Sequence, residues 1–313
     1  MIETKKIAVI VPAYKVAKQL EKVVSSMPDF VDYIVVVDDF CPEESGNSID
    51  NTPDKRRFVL YNKTNLGVGG AVMRGYKKAL ELQADYIVKM DGDGQMNPNY
   101  LGSLLQPLLD EKADYTKGNR FFDFAALKKM PKTRLIGNSL LSFGVKVASG
   151  YWDIMDPTNG YVAITKAALQ QLDFDKIDQR YFFETDMLIN LYLNNSVVKD
   201  VPIPAKYEDE KSNLNISRVL LTFPLKMIKG LLKRVFFRYY VYDFNMASIY
   251  FLIAIPLLLF GIIFGSYHWI QGTTQGVENP AGTIMLAALP VILGIQFLLQ
   301  AISIDIDNVP KKQ

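Results

Sequence analysis

One cysteine, Cys41, and one histidine, His268, stand in 313 residues. Those counts exclude an intrachain disulfide framework and a Cys/His zinc site. No charge of one sign dominates: 35 Lys and Arg face 33 Asp and Glu, for a formal net charge of +2. So even a balance gives no reason to expect a nucleic-acid partner. The glycine run Gly67, Gly69, Gly70 lacks the Gly-Lys-Ser/Thr of a P-loop and the spacing of a dinucleotide fingerprint. Met1-Ile-Glu-Thr-Lys-Lys6 passes directly into an apolar run, without the apolar stretch and cleavage site of a signal peptide. The large N-terminal region is therefore expected in the cytoplasm. Long repeats and low-complexity tracts are also missing.

What is present centres on Asp85-Tyr-Ile-Val-Lys-Met-Asp-Gly-Asp-Gly-Gln-Met-Asn-Pro98. Tyr86 to Met90 reads as a short strand running into Asp91 and Asp93. Residues i and i+2 of a strand face one side, so the two carboxylates can converge at its end. Gly92 and Gly94 allow a tight turn and close approach of a ligand. Two hard oxygens on a loop suit Mg²⁺ or Mn²⁺, which keeps waters and takes further ligands from substrate phosphates. Gln95 is placed to add a third oxygen. An isolated Asp-x-Asp is also an ordinary acidic turn, so its setting decides.

That setting is an alternation of strands and helices. Lys6 to Val11 is an apolar run bounded by Pro12, and Tyr33 to Asp39 is a second, ending in Asp38 and Asp39. Phe58 to Tyr61 is a third. Short apolar runs between turn residues fit strands buried on both faces. Helices are expected over Ala17 to Met27, Ala71 to Leu82 and Tyr100 to Glu111. Further strands are expected over Asp114 to Lys117, Tyr161 to Thr165 and Val198 to Ile203, and a helix leads from Glu184-Thr-Asp186 through Leu193. The pattern predicts an α/β domain with a mostly parallel sheet and right-handed crossovers. Ligands bind beyond the carboxyl ends of such strands, where Pro12 to Tyr14, Asp38, Asp39, Asp91 and Asp93 fall. Gly67 begins a helix that either rests a phosphate on its N-terminus or packs closely on the sheet. Arg74, one turn on, faces a diphosphate or solvent.

Composition then shifts. Arg218, Lys226, Lys229, Lys233, Arg234 and Arg238 are interleaved with apolar residues between Ile216 and Tyr242. This is the make-up of amphipathic helices lying in a membrane interface. Met246 to Tyr267 and Ala281 to Ser303 are each long and apolar enough to span, since about 20 such residues cross a bilayer core. Pro256 and Pro290 are tolerated in such helices. His268 and Trp269 fall at the interface, and the loop from Gln271 to Pro280 carries no Lys or Arg. Basic residues before the first span and Lys311 and Lys312 after the second place both ends in the cytoplasm. The expected organisation is a cytoplasmic domain over 1–213, interface helices over 214–245, two spans over 246–304 and a cytoplasmic tail over 305–313.

Val11-Pro-Ala-Tyr14, Asp38-Asp39, Asn65-Leu-Gly67, Asp91-Gly-Asp93 and Gly118-Asn-Arg120, in that order, resemble family 2 glycosyltransferases of GT-A (Rossmann-like) fold. With the C-terminal hairpin, the chain resembles the polyprenyl-phosphate glycosyltransferases, such as dolichol-phosphate mannose synthases and bactoprenyl-phosphate glucosyltransferases. The resemblance implies that Pro12, Ala13, Tyr14 and Asp39 hold the nucleoside. It implies that Asp91, Asp93 and Gln95 organise a divalent ion on the donor diphosphate. It further implies that Arg120 and Arg134 grip the acceptor phosphate, and that Lys206, Lys211 and Ser212 close over the donor phosphates. The implied partners are a nucleotide sugar, a lipid phosphate and the bilayer; a homo-oligomer is plausible by the same likeness. Two positions depart from the family. Lys15-Val16 stands where Asn-Glu is usual, and Lys206-Tyr-Glu-Asp-Glu-Lys211 is more acidic than the usual arginine-rich loop.

The implied reaction is inverting transfer of a sugar, from a UDP-glucose-like or GDP-mannose-like donor, to a polyprenyl monophosphate. Two alternatives stand beside it. One is a membrane-anchored transferase acting on a saccharide hydroxyl, with Asp186 as base. The other is a nucleotide-sugar sensor without catalysis.

Overall fold

The computed structural model describes residues 5–50, 54–122, 132–204 and 216–312. Two compact units divide the chain, Met1–Leu231 with Pro310–Gln313, and Leu232–Val309.

The first unit is built on a seven-stranded sheet. Its strands are β1 (Ile7–Ala13), β2 (Tyr33–Asp38), β3 (Arg57–Tyr61), β4 (Tyr86–Lys89), β5 (Tyr115–Asn119), β6 (Val162–Thr165) and β7 (Val198–Pro202), in the order β3-β2-β1-β4-β6-β5-β7. The expected mostly parallel α/β sheet is thus found. Ile7 to Val11 and Ile34 to Val37 are fully buried, which is why these runs are apolar without alternation: helices cover both faces. Each such side chain contributes on the order of 1.5–3 kcal/mol of burial.

β1 pairs in parallel with both β2 and β4. β6 is antiparallel to β4 and to β5, so β4 and β5 point the same way. The carboxyl ends of β1, β2, β4 and β5 therefore share one edge of the sheet. Because β6 runs backwards, its entry segment, Asp156 to Tyr161, arrives at that same edge.

The helices of this unit are α1 (Ala17–Ser25), α2 (Asn47–Asp50), α3 (Val68–Glu81), α4 (Leu101–Leu109), α5 (Lys132–Ser149), α6 (Lys166–Gln170) and α7 (Phe183–Leu193). α8 (Ile216–Phe236) follows and runs into a π-helical turn, Phe237–Tyr242. Its inner face packs within the first unit: Phe223 meets Phe182 edge-on at 5.4 Å between ring centroids, and Lys226 pairs with Asp178. Leu225, Ile228, Leu232 and Phe236, at helical spacing, form an exposed apolar stripe.

The second unit holds α9 (Met246–Gln275) and α10 (Ala281–Asp307), both long and apolar enough to cross a membrane. Their close approach depends on small residues. A Cβ at Gly261 would lie 2.6 Å from Val291 Cγ2, and one at Gly294 would lie 2.7 Å from Leu258 Cγ. Both helices outrun the apolar windows read from sequence. α9 continues to Gln275, with Thr273 and Thr274 donating to the carbonyls of Trp269 and Ile270, and it stops at the left-handed Gly276. α10 absorbs Asp305 because Arg234 meets it with two guanidinium nitrogens, at 2.6 and 3.0 Å.

Candidate active site

The Asp-x-Asp turn is fixed from both sides. A Cβ on Gly92 would fall 3.1 Å from Leu20 Cδ1 and 3.3 Å from the Pro12 carbonyl, so the turn lies directly against the end of β1. Gly94 takes φ +80, and the Asp93 carboxylate accepts the Gln95 N–H at 2.9 Å. Asp91 and Asp93 are half-buried and the Gln95 side chain is exposed. Among the described residues no group of three or more His, Cys, Asp or Glu encloses a metal ion. The donor set is small: two hard, half-buried carboxylates at the carboxyl edge of the sheet, which fits an ion that completes its shell with water and phosphate oxygens.

Behind Asp91 is a group the sequence reading missed. Lys89 is 1 % exposed, with Nζ 2.7 Å from Asp91 Oδ1 and 3.4 Å from Glu184 Oε1. Burial works to lower its pKa, but the charges of Asp91 and Glu184 outweigh that and hold it above the ordinary lysine value. Gly160 makes the room: a Cβ there would press on the Lys89 ammonium and lie 2.6 Å from Glu184 Oε1. A signal was available, since a lysine inside an otherwise buried strand, two residues before Asp91, leaves the same face as the aspartate.

Glu184 and Asp186 stand in the first turn of α7. Two residues turn a helix by about 200°, so they cannot face one way. Glu184 faces the Asp-x-Asp turn. Asp186 accepts the Asp178 N–H at 2.9 Å and the Asn190 amide at 3.3 Å, so it braces the approach to α7.

Asp38 and Asp39 are both buried, and their oxygens serve the loops of the edge. Asp38 accepts the N–H groups of Cys41 and Gly46, each at 2.8 Å. Asp39 accepts from the Asn62 amide at 2.6 Å, Leu66 N–H at 2.9 Å and Gly67 N–H at 2.7 Å. Gly67 takes φ +88, and a Cβ there would lie 2.6 Å from Arg180 Cδ. The first turn of α3 is also capped, because Gly70 N–H donates to the Gln179 carbonyl at 2.9 Å. The glycine run is thus a close-packing device. Arg74 donates to the carbonyl of Tyr61 and to Asn62 Oδ1, each at 2.5 Å, which turns it toward the end of β3. Pro12 and the buried Ala13 close β1, while Tyr14 stands exposed at the rim with the Lys15 ammonium 5.5 Å from its ring centroid.

At the other end of the edge, Arg120 holds Asp156. Nε donates to Oδ2 at 2.8 Å and Nη2 to Oδ1 at 3.1 Å; Asp156 is fully buried and the arginine is about a third exposed. Asn159 ties the same turn to β5 through the Gly118 carbonyl at 2.7 Å, and the buried Lys117 donates to the Asn159 carbonyl. Burial lowers the Lys117 pKa, against the pull of Glu184 and Asp156. Arg134 falls in α5, but its side chain lies outside the described residues, as do Lys206, Lys211 and Ser212.

Residues 8–173, more than half of the chain, match the family described as Glycosyl transferase family 2. The chain belongs to this family. Among its relatives is the UDP-N-acetylglucosamine–dolichyl-phosphate N-acetylglucosaminyltransferase of Methanococcus voltae. It is 31 % identical over 227 residues, 66 % of this chain and 87 % of that protein. The undecaprenyl-phosphate mannosyltransferase of Micrococcus luteus is 29 % identical over 203 residues, 63 % of this chain and 82 % of that protein. The fold of this family 2 glycosyltransferase is also that of glucosyl-3-phosphoglycerate synthase from Mycobacterium tuberculosis, solved with Mn²⁺, UDP and phosphoglyceric acid. That likeness has a TM-score of 0.55 at 17 % identity, over 74 % of this chain and 79 % of the other.

Proposed function

We propose that this glycosyltransferase moves a sugar from a nucleotide diphosphate donor, UDP- or GDP-linked, to a polyprenyl monophosphate, with inversion at the anomeric carbon. The observation that carries the reading is a combination within one chain. An open two-aspartate site on the carboxyl edge of the sheet is followed by two helices long and apolar enough to cross a bilayer. Relatives whose names specify dolichyl-phosphate and undecaprenyl-phosphate transferases support the acceptor class.

Asp91 and Asp93 would hold a Mg²⁺ or Mn²⁺ ion, joined by Gln95, and that ion would offset the charge of the departing diphosphate. Tyr14, exposed beside the Asp-x-Asp turn, offers a face for the nucleoside. Asp38 and Asp39 act by shaping the loops around it. Arg120, oriented by Asp156 and about a third exposed, would meet the acceptor phosphate, whose match to a planar guanidinium favours arginine over lysine. A phosphate monoester is already an anion. It needs positioning next to another anion rather than a base. Asp186, engaged by Asp178 and Asn190, is poorly placed for the base role that a saccharide hydroxyl would require.

The apolar stripe of α8 and the hairpin would hold the domain where the lipid phosphate emerges. Lys233, Arg234 and Arg238 before α9, with Lys311 and Lys312 after α10, favour a cytoplasmic catalytic domain. The test is purified enzyme in detergent with undecaprenyl phosphate, a panel of UDP- and GDP-sugars and Mg²⁺ or Mn²⁺, with products read by mass. A lipid-phosphate-linked sugar is expected. Transfer only to saccharide hydroxyls, or none with any donor, would overturn the reading.

A further inference from the structure

Lys89 and Glu184 lie 95 residues apart, yet they meet behind Asp91. The lysine side chain is 2 % exposed, against 32 % for Asp91 and 18 % for Glu184. The Phe183 ring lies 5.7 Å from the ammonium, and Gly160 closes the other side. A long cation enclosed in this way cannot swing into solvent, so its charge is a permanent part of the site. It engages Asp91 through Oδ1, while Oδ2 lies on the Gly160 side.

A fixed positive charge beside Asp91 has a consequence for any divalent ion that Asp91 and Asp93 take. At about 5 Å, repulsion between a unit charge and a divalent ion weakens binding about tenfold even at the dielectric constant of water. Glu184 works the other way, because its charge draws the ammonium and offsets it.

We propose that Lys89 is a resident counter-cation of the donor site. Its charge partly neutralises Asp91 and keeps the intrinsic affinity for a divalent ion low, and Glu184 moderates that effect. Firm retention of the ion then requires the negative charge of the donor diphosphate, and the site lets go of ion and nucleoside diphosphate together. This inference rests on the divalent-ion reading above. Lys89 is a positioning residue: it acts through Asp91.

The experiment is Mn²⁺ binding to full-length protein in detergent, followed by the electron paramagnetic resonance of free Mn²⁺, with and without UDP or GDP. Lys89→Met should bind Mn²⁺ alone about tenfold more tightly and gain less from nucleotide than the unaltered chain. Glu184→Gln should bind Mn²⁺ alone several-fold more weakly. A merely structural role predicts weaker binding in both variants, and that result overturns the proposal. Lys89→Gln repeats the measurement should the methionine variant fail to fold, and Glu184→Gln with unchanged or tighter Mn²⁺ binding overturns the proposal by itself. If the unaltered chain binds no Mn²⁺ with either nucleotide, the divalent-ion reading fails first and takes this inference with it.

Discussion

The Arg120 guanidinium grips the Asp156 carboxylate at two points, 2.8 and 3.1 Å, across 36 residues of sequence, and the carboxylate is fully buried. The arginine is therefore aimed by its partner. Arg120→Lys keeps the charge and loses the fork. The acceptor KM should rise at least several-fold while the donor KM stays nearly constant. Arg120→Ala should also cost on the order of 2–4 kcal/mol of stability, because it strands a buried carboxylate. Acceptor kinetics and thermal melts measure the two effects; an unchanged acceptor KM and kcat in Arg120→Lys would count against a phosphate role.

Asp93 is half-buried on a turn and accepts the Gln95 N–H at 2.9 Å. Asp93→Ala should lower turnover by about two orders of magnitude or more, with a melting temperature within a few degrees of the unaltered protein. Chelator should have the same effect on the unaltered enzyme. Normal turnover in the presence of chelator would remove the ion from the mechanism.

Asp200 on β7 accepts the Met155 N–H at 2.7 Å through Oδ2, while the buried Oδ1 finds no hydrogen-bond partner among the described residues. Burial pushes its pKa up to about 6 from 3.8. A carboxyl with a raised folded-state pKa costs nothing while protonated in both states. Its cost grows from about pH 4 and is complete above about pH 6. Asp200→Asn should therefore be more stable than the unaltered protein at pH 7.5, by about 2–3 kcal/mol at most, and no more stable at pH 4. Denaturant melts at the two pH values decide it; an equal difference at both would show that the carboxyl titrates normally.

Arg234 and Asp305 meet across 71 residues, and Tyr239 adds its hydroxyl to the same carboxylate at 2.6 Å. Arg234→Met should destabilise the second unit by roughly 3–5 kcal/mol, since it removes the guanidinium that meets the buried Asp305 carboxylate at two points. The double variant Arg234→Met with Asp305→Leu should recover much of that loss. Melts in detergent, read as a double-mutant cycle, measure the coupling. Additive losses would mean the pair is not coupled.

Much of this architecture was legible in the chain itself. Runs such as Tyr33 to Asp38 announce buried strands because the apolar residues that need covering are adjacent in sequence. Asp91 and Asp93 mark a candidate site because the two-residue period of a strand is local geometry. The apolar lengths of α9 and α10 are likewise counted directly. Their true ends were less legible, because a helix runs on until a residue such as Gly276 stops it or a partner such as Arg234 neutralises the charge within it.

Facing and partnership belong to the tertiary structure. Whether Glu184 or Asp186 turns toward Lys89 and Asp91 depends on the phase of α7, which Asp178 and the packing of Phe183 set. Asp38 and Asp39 read as open ligands, yet the loops carrying Gly46 and Gly67 fold back onto them. Lys89 finds Glu184, and Arg120 finds Asp156, only because the antiparallel β6 brings Asp156 and Gly160 back to the edge where β4 and β5 end. Sequence by itself determines what each short segment needs to bury and which groups it carries. The long-range return of the chain decides which of those groups meet, because a charge out of water is stable only beside a partner that another segment delivers.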